Sequence, residues 1–284
     1  NKKIKVKMSL KRVEDYDKVL PILELYTAVQ SEGSRQGHPT VVIRTTGCTH
    51  RCYFGEGGWC DSWQTSIHPE KGQYSINSII EMYDKHPYIT EMMLTGGSPT
   101  MHPSIVNELT HFCKERGIVM TIETEGSHYL ETDHKIDLLS ISPKFSNSIP
   151  VIGTLTPQGK EVDERMIKIH NRLRMNVDAI SQSIVYHTDF HLKPVIDKDL
   201  SMLPEVELFI ENLTDALLEL KFEGYETRAE VFKHVKDRVW CMPAGDDREP
   251  LFESYPVVMD MCRDKGYKFT GRAHIIAFSK QRYV

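Results

Sequence analysis

No apolar run in this 284-residue chain approaches the ~20 residues that a membrane-spanning helix needs. The N-terminus also lacks an apolar h-region, so no secretory signal peptide is expected. Positive charge is in deficit: the net charge of −5 argues against nucleic acid or an anionic membrane as a direct partner. One local exception stands out, since Lys2, Lys3, Lys5, Lys7, Lys11 and Arg12 crowd the first dozen residues. An exposed arm of solvated lysines and a basic contact arm both fit that stretch. Internal repeats, low-complexity tracts and convincing linkers are also missing, which favours one domain over residues 1–284, with an arm at 1–22. What remains is ordinary for a folded globular chain, 40% hydrophobic and 26% charged, enough for a sizeable core.

Cysteine is scarce, and its distribution is uneven. Of six, Cys113, Cys241 and Cys262 stand alone, while Cys48, Cys52 and Cys60 fall within one short stretch. Thiolates at short spacing can close around one metal centre; dispersed thiols cannot without long-range folding. A C-x3-C-x7-C array suggests metal use in a reducing compartment rather than disulfides, so the cytoplasm is the expected location. Three ligands, not four, is the informative count. A structural zinc site wants four and no vacancy, whereas a three-cysteine loop leaves one iron of a cubane cluster open. A zinc loop completed by His50 or a remote cysteine remains the alternative. His187 and His191, four apart, would bind metal only on a helix, and none is convincing there.

Along the chain the pattern is strand, polar or Gly-rich loop, helix, strand. Leu23–Val29 reads as extended and Gln30–Gly33 as a turn. Thr40–Thr46 is a short buried strand that delivers the cysteine loop. Ser75 opens a helix with Ile76, Ile79, Ile80 and Tyr83 at helical spacing. Glu91–Leu94 is a strand stopping at Thr95-Gly96-Gly97-Ser98-Pro99, and Pro103 starts a helix that Gly117 ends. Ile118–Ile122 and Asp137–Ser142 are two more strands. The rest is less regular: a helix over Glu161–Met175, a strand over Phe190–Ile196, a helical stretch over Ser201–Phe222, a strand at Val239–Pro243, a helix near Phe252–Lys265 and a strand over Lys268–Phe278. The alternation implies a parallel sheet of βα units whose functional loops converge on one face.

Several short motifs, in order, carry a resemblance. Leu25-Tyr26-Thr27-Ala28-Val29-Gln30-Ser31-Glu32-Gly33, Gly37-His38-Pro39, Val42-Ile43-Arg44 and Gly47-Cys48 resemble the opening of the 7-carboxy-7-deazaguanine synthases, radical S-adenosylmethionine enzymes of the queuosine-type pathway. The resemblance continues through Trp59-Cys60-Asp61-Ser62, Thr95-Gly96-Gly97-Ser98-Pro99, Glu123-Thr124-Glu125-Gly126-Ser127 and Ser142-Pro143-Lys144. Fainter echoes follow at Leu192-Lys193, Met242-Pro243-Ala244-Gly245 and Arg272-Ala273-His274. Residues 145–190 and 197–238 match poorly and read as divergent insertions. Three departures are evident. The last two cysteines are separated by seven residues where the family motif has two, although Gly55, Gly57 and Gly58 allow the excess to loop out. Ser98 replaces the family's glutamate, which loses a carboxylate near the expected methionine amino group. Ser31 replaces a glycine.

The resemblance implies a partial (β/α) barrel of the radical S-adenosylmethionine type. It implies a lyase that converts 6-carboxy-5,6,7,8-tetrahydropterin to 7-carboxy-7-deazaguanine and releases ammonia. Cys48, Cys52 and Cys60 are then the ligands of a [4Fe–4S] cluster. Trp59, Gly96, Gly97, Ser98, Glu123, Ser142, Pro143 and Lys144 fall where the family contacts S-adenosylmethionine. Val29, Gln30, Ser31, Glu32, Gly33, Arg44 and Thr95 fall where it contacts the pterin, and Ser62 where it binds Mg²⁺. Arg44 at the end of an apolar strand requires an anion, supplied in the family by the substrate carboxylate and otherwise by a structural pair with Glu32. The implied partners are the small-molecule substrate and an electron donor such as flavodoxin or ferredoxin; a homodimer is compatible. Two other readings stay open: an activase with a protein substrate, and an inactive homologue serving as a binding partner.

Overall fold

The computed structural model describes residues 10–55 and 58–284. Lys2, Lys3, Lys5 and Lys7 of the basic stretch, and Glu56 and Gly57 of the cysteine loop, therefore lie outside the described residues. Of that basic stretch, Arg12 is tied down: its guanidinium donates to both carboxylate oxygens of Glu108, at 2.8 and 2.7 Å.

The sheet follows the alternation read from the sequence. Strand β1 (Ile22–Val29) turns back antiparallel onto β2 (Pro39–Thr45). From β2 the order is sequential and parallel through β3 (Glu91–Gly96), β4 (Val119–Thr124), β5 (Leu138–Ile141) and β6 (Phe190–Leu192). A second group, β7 (Val195–Ile196), β8 (Trp240–Pro243) and β9 (Lys268–Phe269), is also parallel. A bridge between Leu192 and Val239 joins the two groups. Strands in sequence order joined by helical crossovers curve into a barrel wall, and among the described residues β1 forms its antiparallel edge.

Local chemistry explains the helices. Helix α1 (Trp63–Ser66) is a single turn after the cysteine loop. Helix α2 (Ile76–Lys85) begins at a reciprocal cap between Ser75 and Ser78 and buries Ile76, Ile79 and Tyr83. Helix α3 (Pro103–Arg116) has its proline in the first turn and ends at Gly117, whose φ of 66° is left-handed. Helices α4 (Glu164–Asn171), α5 (Val177–Tyr186), α6 (Leu203–Glu219), α7 (Arg228–Lys236), α8 (Arg248–Lys265) and α9 (Ala273–Phe278) complete the chain. Ile43, Leu94 and Ile122, from three adjacent parallel strands, are fully buried at the centre.

Several expectations need correction. The strand expected over Lys268–Phe278 is the two-residue β9 followed by α9, because Gly271 and Arg272 interrupt the ladder. The strand expected over Phe190–Ile196 is split at Lys193-Pro194, since proline has no N–H for the ladder. Helix α5, unforeseen, starts where the Asn176 side chain accepts from the Ala179 N–H. The expected helices over Glu161–Met175 and Ser201–Phe222 are shorter, and the last long one starts earlier, at Arg248. Among the described residues no helix is long and apolar enough to cross a membrane.

Candidate active site

Strand β2 delivers the cysteine loop into a pocket at the C-terminal ends of the parallel strands, lined by Cys48, Cys52 and Cys60 together. The Arg51 guanidinium clamps the loop by donating to the carbonyls of Cys48 and His50, each at 2.7 Å. The long spacing before Cys60 is absorbed by a small hairpin. Tyr53 and Trp59 pair across it, the Phe54 N–H donates to the Gly58 carbonyl at 2.8 Å, and the Cys60 N–H donates to the Cys52 carbonyl at 3.1 Å. Trp59 packs its ring 4.8 Å from Tyr53 and donates its indole N–H to the Leu155 carbonyl at 3.1 Å. Burial, with the Glu125 carboxylate adding to it, pushes the Cys48 thiol up to about 12. Burial and then Asp61 push Cys60 up to about 11, and Cys52 is raised chiefly by burial.

The Gly-Gly turn after β3 packs directly on this loop. A Cβ on Gly97 would stand 2.1 Å from the Gly47 carbonyl oxygen, and one on Gly96 would stand 2.3 Å from that of Thr45. Gly96 also has a φ of 137°, closed to other residues. Both glycines are thus required by strand-to-loop packing, before any ligand arrives. Ser98, fully buried, donates to Glu125 Oε1 at 2.5 Å. Two of the three buried side-chain atoms without a hydrogen-bond partner among the described residues belong to pocket-lining residues here, His50 Nε2 and Glu125 Oε2.

The opposite wall is a lattice of ion pairs. Lys193, 4% exposed, donates to Glu32 Oε2 at 2.6 Å and Glu123 Oε1 at 2.5 Å. Arg272 donates to Glu32 Oε1 at 3.2 Å, to the Gly245 carbonyl at 2.6 Å and to Asp61. His274 Nδ1 lies 2.7 Å from Ser31 Oγ. Burial alone would raise the Glu32 carboxyl, but Lys193, Arg272 and His274 outweigh it and hold the group well below the ordinary range. Arg44 donates Nε to Glu24 Oε2 at 2.6 Å and Nη1 to Ser62 Oγ at 2.7 Å. Its structural partner is therefore Glu24 and not Glu32. Glu24 is shared with Arg282 at 2.6 Å.

Most residues expected at the site meet in this pocket. Trp59, Gly96, Gly97, Glu123, Ser142 and Lys144 line it, as do Val29, Ser31, Glu32, Arg44, Thr95 and Ser62. Lys144 folds back to donate to the Ser142 carbonyl and hydroxyl, each at 2.7 Å. Four residues lie elsewhere. The Gln30 amide points away and donates to Glu91 at 2.9 Å, since successive residues of an extended chain face opposite sides. Gly33 packs over the His191 ring, where its φ of 70° and a Cβ clash at 2.6 Å admit no side chain. Pro143 lines a small separate cleft with Phe145 and Leu192. Ser98 sits behind Glu125. The residues that sequence reasoning passed over are Glu125, Asp61, Lys193, Arg272 and His274, each inside a motif already quoted but assigned no role. His187 and His191 form no pair: the first bonds to the Ile136 N–H and Leu130 carbonyl, the second to Ser34 and Ser140.

Comparison with known proteins bears on this geometry. The radical SAM superfamily profile matches residues 42–196. The 7-carboxy-7-deazaguanine synthase of Halobacterium salinarum is 31% identical over 256 residues, 90% of this chain and 89% of its own length. The chain belongs to the 7-carboxy-7-deazaguanine synthase family of radical SAM enzymes. The enzyme of the same name from Rhodopirellula baltica is 29% identical over 93% of this chain and 88% of its own. A crystal structure of QueE from Escherichia coli aligns with 89% of this chain and 93% of its own, at 18% identity and a TM-score of 0.49.

The cofactors of radical SAM enzymes are a [4Fe–4S] cluster and S-adenosylmethionine, and the site can be tested against them. Three thiols from one clamped loop face one pocket, and burial keeps them protonated until a metal takes the proton's place. Among the described residues no group of three or more His, Cys, Asp or Glu is arranged to hold a single metal ion, and the three cysteines line one pocket. These features fit a cluster. The fit to Mg²⁺ is poorer as the side chains stand, because the Ser62 oxygen accepts from the Arg44 guanidinium and donates to Asp61 at 3.3 Å.

Proposed function

We propose that this radical SAM enzyme converts 6-carboxy-5,6,7,8-tetrahydropterin to 7-carboxy-7-deazaguanine with release of ammonia. One observation carries the reading: relatives of that name match this chain nearly end to end, and one pocket gathers the cysteine loop with Ser31, Glu32 and Arg44 of the β1–β2 segment. When bound, cluster and S-adenosylmethionine supply a radical able to take a hydrogen atom from a carbon of the substrate. The chain's own residues do the rest. Cys48, Cys52 and Cys60 would hold the cluster. Trp59, Ser142, Lys144 and the Gly96-Gly97 turn border the space beside it, where S-adenosylmethionine is expected. Glu32 and Ser31, fixed by Lys193, Arg272 and His274, offer acceptor and donor atoms to a pterin edge. Arg44 has the planar fork that grips a carboxylate; taking up the substrate would draw it from Ser62 and so free that hydroxyl for Mg²⁺.

The finer expectations belong to the same proposal. One domain spans residues 1–284, with an arm at 1–22 and divergent segments at 145–190 and 197–238. A flavodoxin or ferredoxin provides the electron, a homodimer is compatible, and the enzyme works in the cytoplasm without binding nucleic acid or membrane. A protein-directed activase is disfavoured by the names of the relatives. The test is anaerobic cluster reconstitution, then mass spectrometry after incubation with the carboxypterin, S-adenosylmethionine, Mg²⁺ and a reductant. Formation of 7-carboxy-7-deazaguanine is expected. A protein that cleaves S-adenosylmethionine yet leaves the carboxypterin unchanged would overturn the substrate assignment.

A further inference from the structure

We propose that His170, from the divergent segment 145–190, is the positioning residue that sets the shape of the cysteine loop around Cys52. The inference rests on the cluster ligands assigned above and not on the identity of the substrate. His170 lies in the last turn of α4, on the inward face it shares with Met166, and is fully buried. Both ring nitrogens are spent, and their partners fix which one carries the proton. Nδ1 accepts from the Arg51 backbone N–H at 3.0 Å, so the proton is on Nε2. Nε2 donates to Ser148 Oγ at 3.1 Å, and the Ser148 hydroxyl donates to the Phe145 carbonyl at 2.6 Å. Burial, ahead of His50, Arg174, Lys144 and Arg51, holds the imidazole down to about 3, so the ring is neutral as this chain of bonds requires.

The bonds form a circuit around one ligand. Arg51, just before Cys52, gives its N–H to His170, and Tyr53, just after it, gives its N–H to the Ser148 carbonyl at 3.0 Å. His170 and Ser148 are themselves joined. Cys52 is thus bracketed on both sides by one continuous set of contacts to segment 145–190. The division of backbone donors within the loop follows from the same arrangement. The His50 N–H goes to the Cys48 sulfur at 3.4 Å, whereas the next one, of Arg51, goes to α4. The His50 ring also packs edge-on against His170, 5.2 Å between centroids.

A segment that matches the family poorly therefore has a task at the metal centre. A buried backbone N–H that loses its acceptor is costly, so the loop would rearrange to find another. Groups that orient metal ligands without touching the metal typically matter by about 10- to 100-fold in metal affinity. His170 is such a group for Cys52.

The test titrates an iron chelator against the anaerobically reconstituted protein and reads the concentration that strips half of the iron. Asparagine places an acceptor where Nδ1 stands, and glutamine places its amide where Nε2 stands. His170→Gln should lower that concentration about tenfold or more, whereas His170→Asn, which keeps the acceptor for Arg51, should stay close to wild type. Equal losses in the two variants, or no loss in His170→Gln, overturn the proposal. So does a lower melting temperature of the cluster-free variants with unchanged iron retention, the signature of a merely structural histidine. Amide exchange in wild type needs no variant to fold: the Arg51 N–H should be protected, and exchange at the rate of a free amide overturns the proposal as well. A wild type that takes up no iron overturns this inference together with the proposed function.

Discussion

The two walls of the pocket are built on opposite plans. On the cysteine side, three thiols face the pocket, and two buried polar atoms, His50 Nε2 and Glu125 Oε2, have no hydrogen-bond partner among the described residues. On the far side Glu32, Lys193, Glu123, Arg272 and Asp61 are tied to one another, and Arg44 and Glu24 to each other, before any ligand is present. The first wall is completed by what binds to it. The second is complete already, so a ligand there meets fixed donors and acceptors or displaces an existing partner. A wall of that kind orients; the other captures.

The contrast is tested most sharply by removing charge from the far wall. Lys193→Met would leave Glu32 and Glu123 facing each other, and breaking a buried pair in this way costs about 3–5 kcal/mol. The melting temperature of the cluster-loaded protein should fall steeply. On the same measurement without ligand, Glu125→Gln should lower it less, because the amide oxygen still accepts from Thr49, Ser98 and Ser127. If both variants melt alike, the walls are not different in kind.

Arg44 stands where the two plans meet, held by Glu24 and Ser62 yet facing the pocket. Arg44→Ala should weaken carboxypterin binding by about 2–5 kcal/mol, while slow S-adenosylmethionine cleavage without substrate persists. Glu24 keeps Arg282, so stability should change less than binding. Arg44→Lys should recover only part, having charge without the fork. Equal affinity of wild type and Arg44→Ala for the carboxypterin would make this arginine part of the scaffold alone.

Smaller effects should come from His187, which caps the C-terminal end of α5 and lies outside both walls. Burial first, then Lys135, holds its pKa down to about 4 despite the Leu130 carbonyl bond. An unfolded chain binds a proton there near pH 6.5, and the folded chain only near pH 4. Stability should thus be full above about pH 6.5 and decline as pH falls toward 4, by at most about 1.4 kcal/mol per unit from this one group. Denaturant midpoints of wild type and His187→Gln at pH 7 and pH 5 check the sign, with the variant showing the flatter slope. The smallest effect is an expected zero. Cys113, Cys241 and Cys262 are buried in the core, so their joint replacement by alanine should leave iron content unchanged, and lost iron would reassign the ligands.

How much of this was legible beforehand divides along a physical line. Strands β2 to β5 and helices α2 and α3 could be read almost to the residue, because caps, prolines and apolar spacing act locally. Helix α5 escaped, since Asp178, Ser181 and Ser183 lower the helical signal and the Asn176 cap becomes evident only with its backbone partner. Lys193 and Arg272 sit 161 and 240 residues from the Glu32 they hold, a distance no local pattern crosses. For Glu125 the sequence showed an acid in a recognisable motif. That one of its oxygens is satisfied three times and the other not at all is a property of three dimensions.

The tie between the Cys60 N–H and the Cys52 carbonyl has a consequence for how such loops evolve. Once the backbone closes at that point, the number of residues beyond the closure becomes a free variable: they can be gained or lost as a hairpin tip without displacing either sulfur. A search that counts residues between cysteines treats this chain as an exception, whereas one that asks where the backbone returns on itself finds the same ligand loop at a different length.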